Sequence, residues 1–547
     1  WRRATILAIA CGLGSASVVP CQTGVPERVV ACFESTGGAL TLDALARTSL
    51  ELIGDIAEFA PFLGDRATAR LEFVRGLVAS HARAPWRPLV EGLLSGTVRL
   101  FVVERGPTRR MAVVLAATFD DDRTAARHAT TLKKLFRIET ARRAATLVFD
   151  SDGDPANASL QLPTRRIWSV DESAHVHFAI DFEGNRIGAR LARRTGPGAA
   201  TVGAALAFAG LPKAIAASRG IEGAWTHGAA GIRLRLVVAD AWRNLDAASK
   251  RLFAPSEREP RSAPLQLLPG DVLAVRSSRN LGAFVADHPS YALGGVHAAI
   301  QRGLSRLELL FRNQDLEKDV LPFLGSVFEA RLRSRPSKND ESDEGDCGAL
   351  PAWSLSARVL HERLRYVFDS VLQIAAAIAR EPRERQGRAR VRVEARARDD
   401  IHRSRWVADV QRGLPAPIEF QYFPAYARYG EVVCYGNVVE DCVARVRSRG
   451  GASRDVDADR EESESSAQAP RVTIDSLRLS GRAAAAAFAD ARELVLLQLW
   501  LHRLPEDEAD RIAVAIEKLL ARWGRISIDL DHVGNDLELV LRREVER

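Results

Sequence analysis

The sequence predicts an α+β fold: two similar modules, each a curved antiparallel sheet packed with helices, plus a C-terminal helix-helix-hairpin piece. Three observations carry that expectation. The stretch Asp315 to Leu332, DLEKDVLPFLGSVFEARL, reads as an apolar helix end, a turn set by Pro322 and Gly325, and an outgoing strand. An echo stands near Leu89, where LVEGLLSG leads into the apolar run Val98 to Val103. The order of features also repeats. Gly325 follows Gly96 by 229 positions, Ala352 follows Ala112 by 240 and Asn437 follows Asn185 by 252, a growing offset of the kind that duplication with loop insertions leaves.

The elements follow in chain order. A leader occupies residues 1–24: Trp1-Arg2-Arg3, an apolar run from Ala4 to Val19 and the small residues Gly14 to Ser17 have the three regions of a secretory signal. The run is short for a membrane span, which needs about 20 residues. A lipoprotein variant would use Cys11 after Leu7-Ala8-Ile9-Ala10. The first module covers 25–253. It holds helices over Leu45 to Phe59 and Leu71 to Ala82, a hairpin of Val98 to Val103 with Met111 to Phe119, and a helix from Asp120 to about Phe136. Strands are expected at Thr146 to Phe149, Ser159 to Leu162, Val176 to Phe182 and Gly231 to Ala239, and a helix at Arg186 to Arg193. The segment Gly196 to Gly223 reads as small-residue helix packing.

Residues 254–266, rich in Pro, Ser and charge, form a linker. The second module, 267–450, opens with Leu268-Pro269-Gly270-Asp271 turning into a strand. Helices then run at Leu281 to Ala286 and Val296 to Phe311, a strand at Ala352 to Val359 and a long helix from His361 to Arg380. Strands near Arg390 to Ala397 and Arg403 to Val410, a hairpin across Ile418 to Tyr435 and a helix to Arg447 complete it. An acidic disordered loop takes 451–470, and 471–547 is a strand, two helices and a hairpin that completes the second module. In that hairpin Ile526, Ile528 and Leu530 face Leu537, Leu539 and Leu541 across Gly534-Asn535.

Composition excludes some functions. The chain of 547 residues has a formal net charge of +7, yet only seven of its 77 basic residues are Lys, and the Arg are scattered among acids. A nucleic-acid binder needs a basic stripe with interleaved aromatics, so no nucleic-acid partner is expected and the Arg reflects the coding bias of a GC-rich genome. The apolar run Ala483 to Leu501 is interrupted by Asp490, Arg492 and Glu493, so the mature chain carries no transmembrane span.

Candidate sites each resolve into structural roles. Asp120-Asp121-Asp122 caps a helix N-terminus. Asp150-Ser151-Asp152-Gly153-Asp154 imitates a calcium loop but has Pro155 where the loop needs Gly and Gln161 where it needs Glu, so it is a turn. His175 and His177 share one face of a strand without a third ligand. Gly196-Pro197-Gly198 lacks the Gly-Lys-Ser/Thr of a phosphate loop, and the acidic loop Asn339 to Asp346 is a solvated excursion. Of the six cysteines, Cys11, Cys21, Cys32, Cys347, Cys434 and Cys442, none forms a Cys-x-x-Cys motif. Cys434 on a strand and Cys442 on the next helix are the best disulfide pair.

The Leu268-Pro269-Gly270-Asp271 opening, the Asp315 to Gly325 motif (Asp-x-x-x-Asp-x-Leu-Pro-x-Leu-Gly), the strand and long helix after Pro351, and the closing helix-helix-hairpin resemble a bacterial family of exported proteins of unknown function. That family is known in secreted or lipoprotein form from bacteria such as myxobacteria. The resemblance covers residues 265 to 547, departs in the first half, and carries over no active residues.

No Gly-x-Ser-x-Gly, His-Glu-x-x-His or phosphate loop is present. Catalytic, cofactor and metal residues are therefore assigned to none, and the expected function is that of a non-catalytic exported envelope protein, periplasmic or attached to the outer membrane. It would bind a lipid or other apolar ligand, or another envelope protein. The alternatives are a hydrolase-like envelope enzyme whose site forms only in the fold and a purely structural scaffold. An apolar cavity between sheet and helices would favour ligand carriage, and a filled core with an exposed apolar patch would favour partner binding.

Overall fold

The computed structural model describes residues 28–35, 96–105, 110–136, 141–143, 145–150, 176–182, 211–228, 231–253, 265–287, 294–311, 314–334, 351–385, 391–398, 400–408, 424–451, 471–493, 495–496 and 505–544. The leader, both early helices, residues 151–161 of the imitation calcium loop, residues 254–264 of the linker, and the acidic stretches 339–346 and 452–470 fall outside them. So do Cys11, Cys21, Cys347, His175 and the segment 183–210.

The chain divides into two compact units, one of residues 1–188 with 218–239, the other of 189–217 with 240–547. In the first, strands β1 (Arg28–Ser35), β2 (Thr97–Arg105), β3 (Arg110–Thr118), β4 (Ala141–Arg143), β5 (Thr146–Asp150), β6 (Val176–Asp181), β7 (Gly220–Gly228) and β8 (Gly231–Ala239) accompany helix α1 (Asp122–Phe136). All pair antiparallel, in the order β4-β5-β3-β2-β1-β6-β7-β8.

The second unit begins with the short helices α2 (Leu211–Ala217), α3 (Ala241–Asn244) and α4 (Ala247–Phe253), then β9 (Asp271–Ser278), α5 (Leu281–Asp287) and α6 (Gly294–Leu310). A π-helical turn at Leu316–Val320 and a 3-10 turn at Leu321–Phe323 lead into β10 (Val327–Arg333) and β11 (Ala352–Arg358). Helix α7 (Glu362–Arg385), strands β12 (Val391–Arg398), β13 (Ile401–Ala408), β14 (Ala425–Tyr429) and β15 (Val432–Gly436), and helix α8 (Val439–Gly451) follow. The chain closes with β16 (Arg471–Ser480), α9 (Gly481–Asp490), α10 (Glu506–Arg522), β17 (Arg525–Val533) and β18 (Asp536–Glu544). The strand order here is β12-β13-β14-β15-β11-β10-β9-β16-β17-β18.

These pairings overturn the expected fold class. Antiparallel strands dominate, eight in the first unit and ten in the second among the described residues, and two similar modules of sheet packed with helices are not evident. Within the second unit, β16 of the C-terminal stretch lies hydrogen-bonded against β9. What recurs is the order of connection. In each unit the first strand sits between the second strand and a strand that arrives much later in the chain. Backbone joints recur with it: Phe119 N–H donates to Ala145 at 3.0 Å as Val359 N–H does to Glu431 at 2.8 Å. Phe182 N–H donates to Arg219 at 2.8 Å as Gly481 N–H does to Gly524 at 2.8 Å. Gly96 and Gly325 both sit against the end of the neighbouring strand. A Cβ on Gly96 would stand 2.2 Å from Thr118 O, and Gly325 N–H donates to Arg358 O. Thus the first two sequence offsets join equivalent places. The third does not, because Asn185 follows β6 whereas Asn437 follows β15, and those strands hold different ranks in the order.

Among its described residues the Gly/Ala-rich segment is helical, as read, over Leu211–Ala217 and departs from that reading beyond it. Its end forms strand β7, and Gly223 stands opposite Phe178, whose ring lies 2.2 Å from where a Cβ would be. The glycine makes room for an aromatic ring, which is a strand function rather than helix packing. The motif at 315–325 behaves as read. The Asp315 side chain accepts the N–H groups of Glu317 and Lys318, and Leu316 and Val320 enter the core with Phe368 and Leu372 of α7.

Candidate binding surface

The sheet around β10 has two faces of opposite character. Across β16, β9, β10, β11 and β15 one register row reads Leu477, Val275, Ala330, Leu355, Tyr435, and the next reads Leu479, Leu273, Leu332, Trp353. On the other face the matching rows are Ser476, Arg276, Glu329, Ser356, Cys434 and Arg478, Ala274, Arg331, Ser354, Gly436. Alternation along a strand fixes this division.

Ordinary sheet logic would turn the apolar face inward, and here the polar face is the enclosed one. Glu329 is 3% and Asp271 2% exposed, and Arg331, Ser354 and Ser356 are buried. Each charge is satisfied. Arg331 donates to Asp271, to Glu329 at 2.6 Å and to the Gln266 carbonyl at 2.9 Å; Arg276 donates to Glu329 at 3.0 Å. Helix α8 supplies the cover and the remaining partners, with Arg445 reaching Asp271 at 3.2 Å and Arg449 reaching Ser356 Oγ at 2.9 Å. A bulge where β9 meets β10, between Leu332 and Arg333, brings Asp271 onto this face, so the turn at Leu268 to Asp271 aims its carboxylate at Arg331. Burial works to raise the Glu329 carboxyl, but Arg331 and its hydrogen bond outweigh it and hold the group below the usual glutamate range.

The apolar face is covered by helices α7 and α9 and, at Phe328 and Ala357, by the end of α6 and the turns at Leu316–Phe323. Helix α7 lies over β13 to β15, pinned by Asp369, which accepts from Tyr426 at 2.7 Å and from both Arg428 nitrogens at 2.9 and 2.8 Å, and by Trp406 donating to Leu372 O at 2.9 Å. Helix α9 packs Ala484 and Ala487 onto Val272, with Leu332 beside them. Between these helices Ala330 is exposed, Trp353 is 36% and Leu355 44% exposed, although β10 and β11 are interior strands. The strip from Leu477 to Tyr435 spans five strands, or about 19 Å at the usual strand spacing.

The singled-out sequence features lie elsewhere. Asp121 caps α1, accepting Thr124 N–H at 2.6 Å and its hydroxyl at 2.8 Å, which lowers its carboxyl. His177 sits on β6 opposite Glu34 and Ala224. Cys434 and Cys442 are free buried thiols within hydrogen-bond reach of each other, and not the disulfide expected from the sequence. The hydrogen bond to Cys434 and then burial push the Cys442 thiol well up. No group of three or more His, Cys, Asp or Glu among the described residues could hold a metal, and no described helix is long and apolar enough to cross a membrane. No protein-family model, curated protein or solved structure matches the chain.

Sequence reasoning did not single out Trp353, Leu355 and Ala330. The one available signal was the string Trp353-Ser354-Leu355-Ser356 facing Glu329-Ala330-Arg331, in which the charged and hydroxyl positions of neighbouring strands fall in register.

Proposed function

We propose that this is a non-catalytic, exported envelope protein that holds an apolar ligand, such as a lipid acyl chain, along the strip from Leu477 to Leu355. The observation that carries the reading is the exposure of Trp353 and Leu355 on interior strands between two helices. Large apolar side chains left open on an interior strand mark a contact surface. An exposed apolar patch by itself fits a protein partner, but its size favours a ligand. Two register rows about 19 Å long and about 7 Å apart cover roughly 130 Å², whereas a stable protein interface needs about 800 Å² per partner. The signal-like leader and the resemblance to exported bacterial proteins support export.

The test is native mass spectrometry of the chain purified without detergent from cells that export it. The reading predicts a bound lipid-sized mass that is absent from a Leu355→Asp variant. A ligand-free mass for the wild type, or recovery of the full-length product in the cytosol with its leader intact, would contradict it.

A further inference from the structure

At one end of the sheet, the turn of residues 265–271 and the ends of β16, β17 and β18 border a cavity of about 560 Å³, inside the range of small-molecule sites. Three arginines, Arg478, Arg525 and Arg542, enter its wall together with Ser527. Register explains the grouping. Arg478, Ser527 and Arg542 are direct cross-strand neighbours on β16, β17 and β18, so two guanidinium groups flank one hydroxyl on adjacent strands about 4.8 Å apart.

The acids nearby do not cancel this charge. Arg478 is held by Asp529 at 2.8 Å and the Asp271 carboxylate by Arg331 and Arg445, which leaves Arg525, Arg542 and Glu544 as the remaining charges of the wall, one positive in excess. Arg542 makes no ion pair or hydrogen bond among the described residues. One cation is therefore left over in a concave wall, beside the apolar surface of Leu268, Pro269 and Ile526. A guanidinium fork matches a carboxylate or phosphate in planar, two-point contact.

We propose that this cavity binds a small organic anion, a carboxylate or phosphate head on an apolar body, with Arg542 as the head-group contact. The site lies at the strand ends, and Ala330, Trp353 and Leu355 of the apolar strip are not in its wall. Isothermal titration of the full chain with octanoate, octyl phosphate and octanol tests it, repeated on Arg542→Gln, Arg542→Lys and Leu355→Asp. One or both anions should bind at least tenfold tighter than octanol, and the tighter head names the ligand source. Arg542→Gln should weaken that anion at least tenfold with an unchanged thermal midpoint, Arg542→Lys should retain part of the affinity, and Leu355→Asp should leave it intact. Octanol binding as tightly as the anions, undiminished binding by a folded Arg542→Gln, loss of anion binding in Leu355→Asp, or no binding of either anion would each overturn the proposal.

Discussion

The two faces of the sheet at β10 differ in what covers them. On the polar face, Asp271, Glu329, Arg331 and Arg276 are paired with one another, and α8 closes over them with Arg445 and Arg449. On the apolar face, α7 and α9 stop short of each other and leave Leu355 and Trp353 in contact with solvent. The difference teaches that enclosure here follows hydrogen-bond completion and not hydropathy. A buried charge layer is tolerable only when every member is partnered, and an apolar strip can remain open when a ligand is its partner.

The largest expected effect comes from breaking the enclosed face. Asp271→Asn strips the charge that serves both Arg331 and Arg445 and leaves two guanidinium groups buried without it. Loss of one partner from a buried pair costs about 3–5 kcal/mol, and urea unfolding should show a midpoint lowered accordingly. Wild-type stability in this variant would show that the layer is open to water.

Tightening the cover is the opposite experiment. Oxidising Cys434 and Cys442 with diamide, which takes up the two hydrogens and two electrons the thiols lose, would tie β15 to α8. The short loop closed is worth about 2–3 kcal/mol by chain entropy. Mass spectrometry should find an intramolecular disulfide and the unfolding midpoint should rise. An intermolecular disulfide would mean that the two thiols do not meet.

Acid provides a finer probe of the same layer. Because Glu329 titrates below its ordinary range in the folded protein, its contribution is present above the unfolded value of about 4.3 and is lost as pH falls through the lower folded value. Stability measured at pH 6 and at pH 3 should therefore fall less for Glu329→Gln than for the wild type. An equal fall would remove Glu329 from the acid-labile set.

Much of the second unit was legible in the sequence because its signals are local. Period-two runs marked β11, β13 and β16, Pro505 with its following acids marked the start of α10, and Gly534-Asn535 fixed a hairpin in which Ile528 meets Leu541 and Leu530 meets Leu539. Strand β7 was illegible because its glycines answer to Phe178, over 40 positions away in the chain. The faces were illegible for a related reason. Leu355 and Trp353 look like core residues until Asp271 is known to meet Arg331 60 positions on and Arg445 174 positions on. The pairing of β16 with β9 was likewise long-range, and no local pattern encodes it.

The smallest expected effect on stability falls on the open face. Leu355→Asp adds a charge to a side chain already 44% exposed, so the unfolding free energy should change by no more than about 0.5 kcal/mol. Binding should respond quite differently, and titration with the neutral dye Nile red measures it most directly. The wild type should take up the dye with a blue-shifted, saturable emission, and Leu355→Asp should weaken that uptake at least tenfold while remaining as stable as the wild type. Equal dye binding by the two folded proteins would contradict the assignment of the strip as a ligand surface.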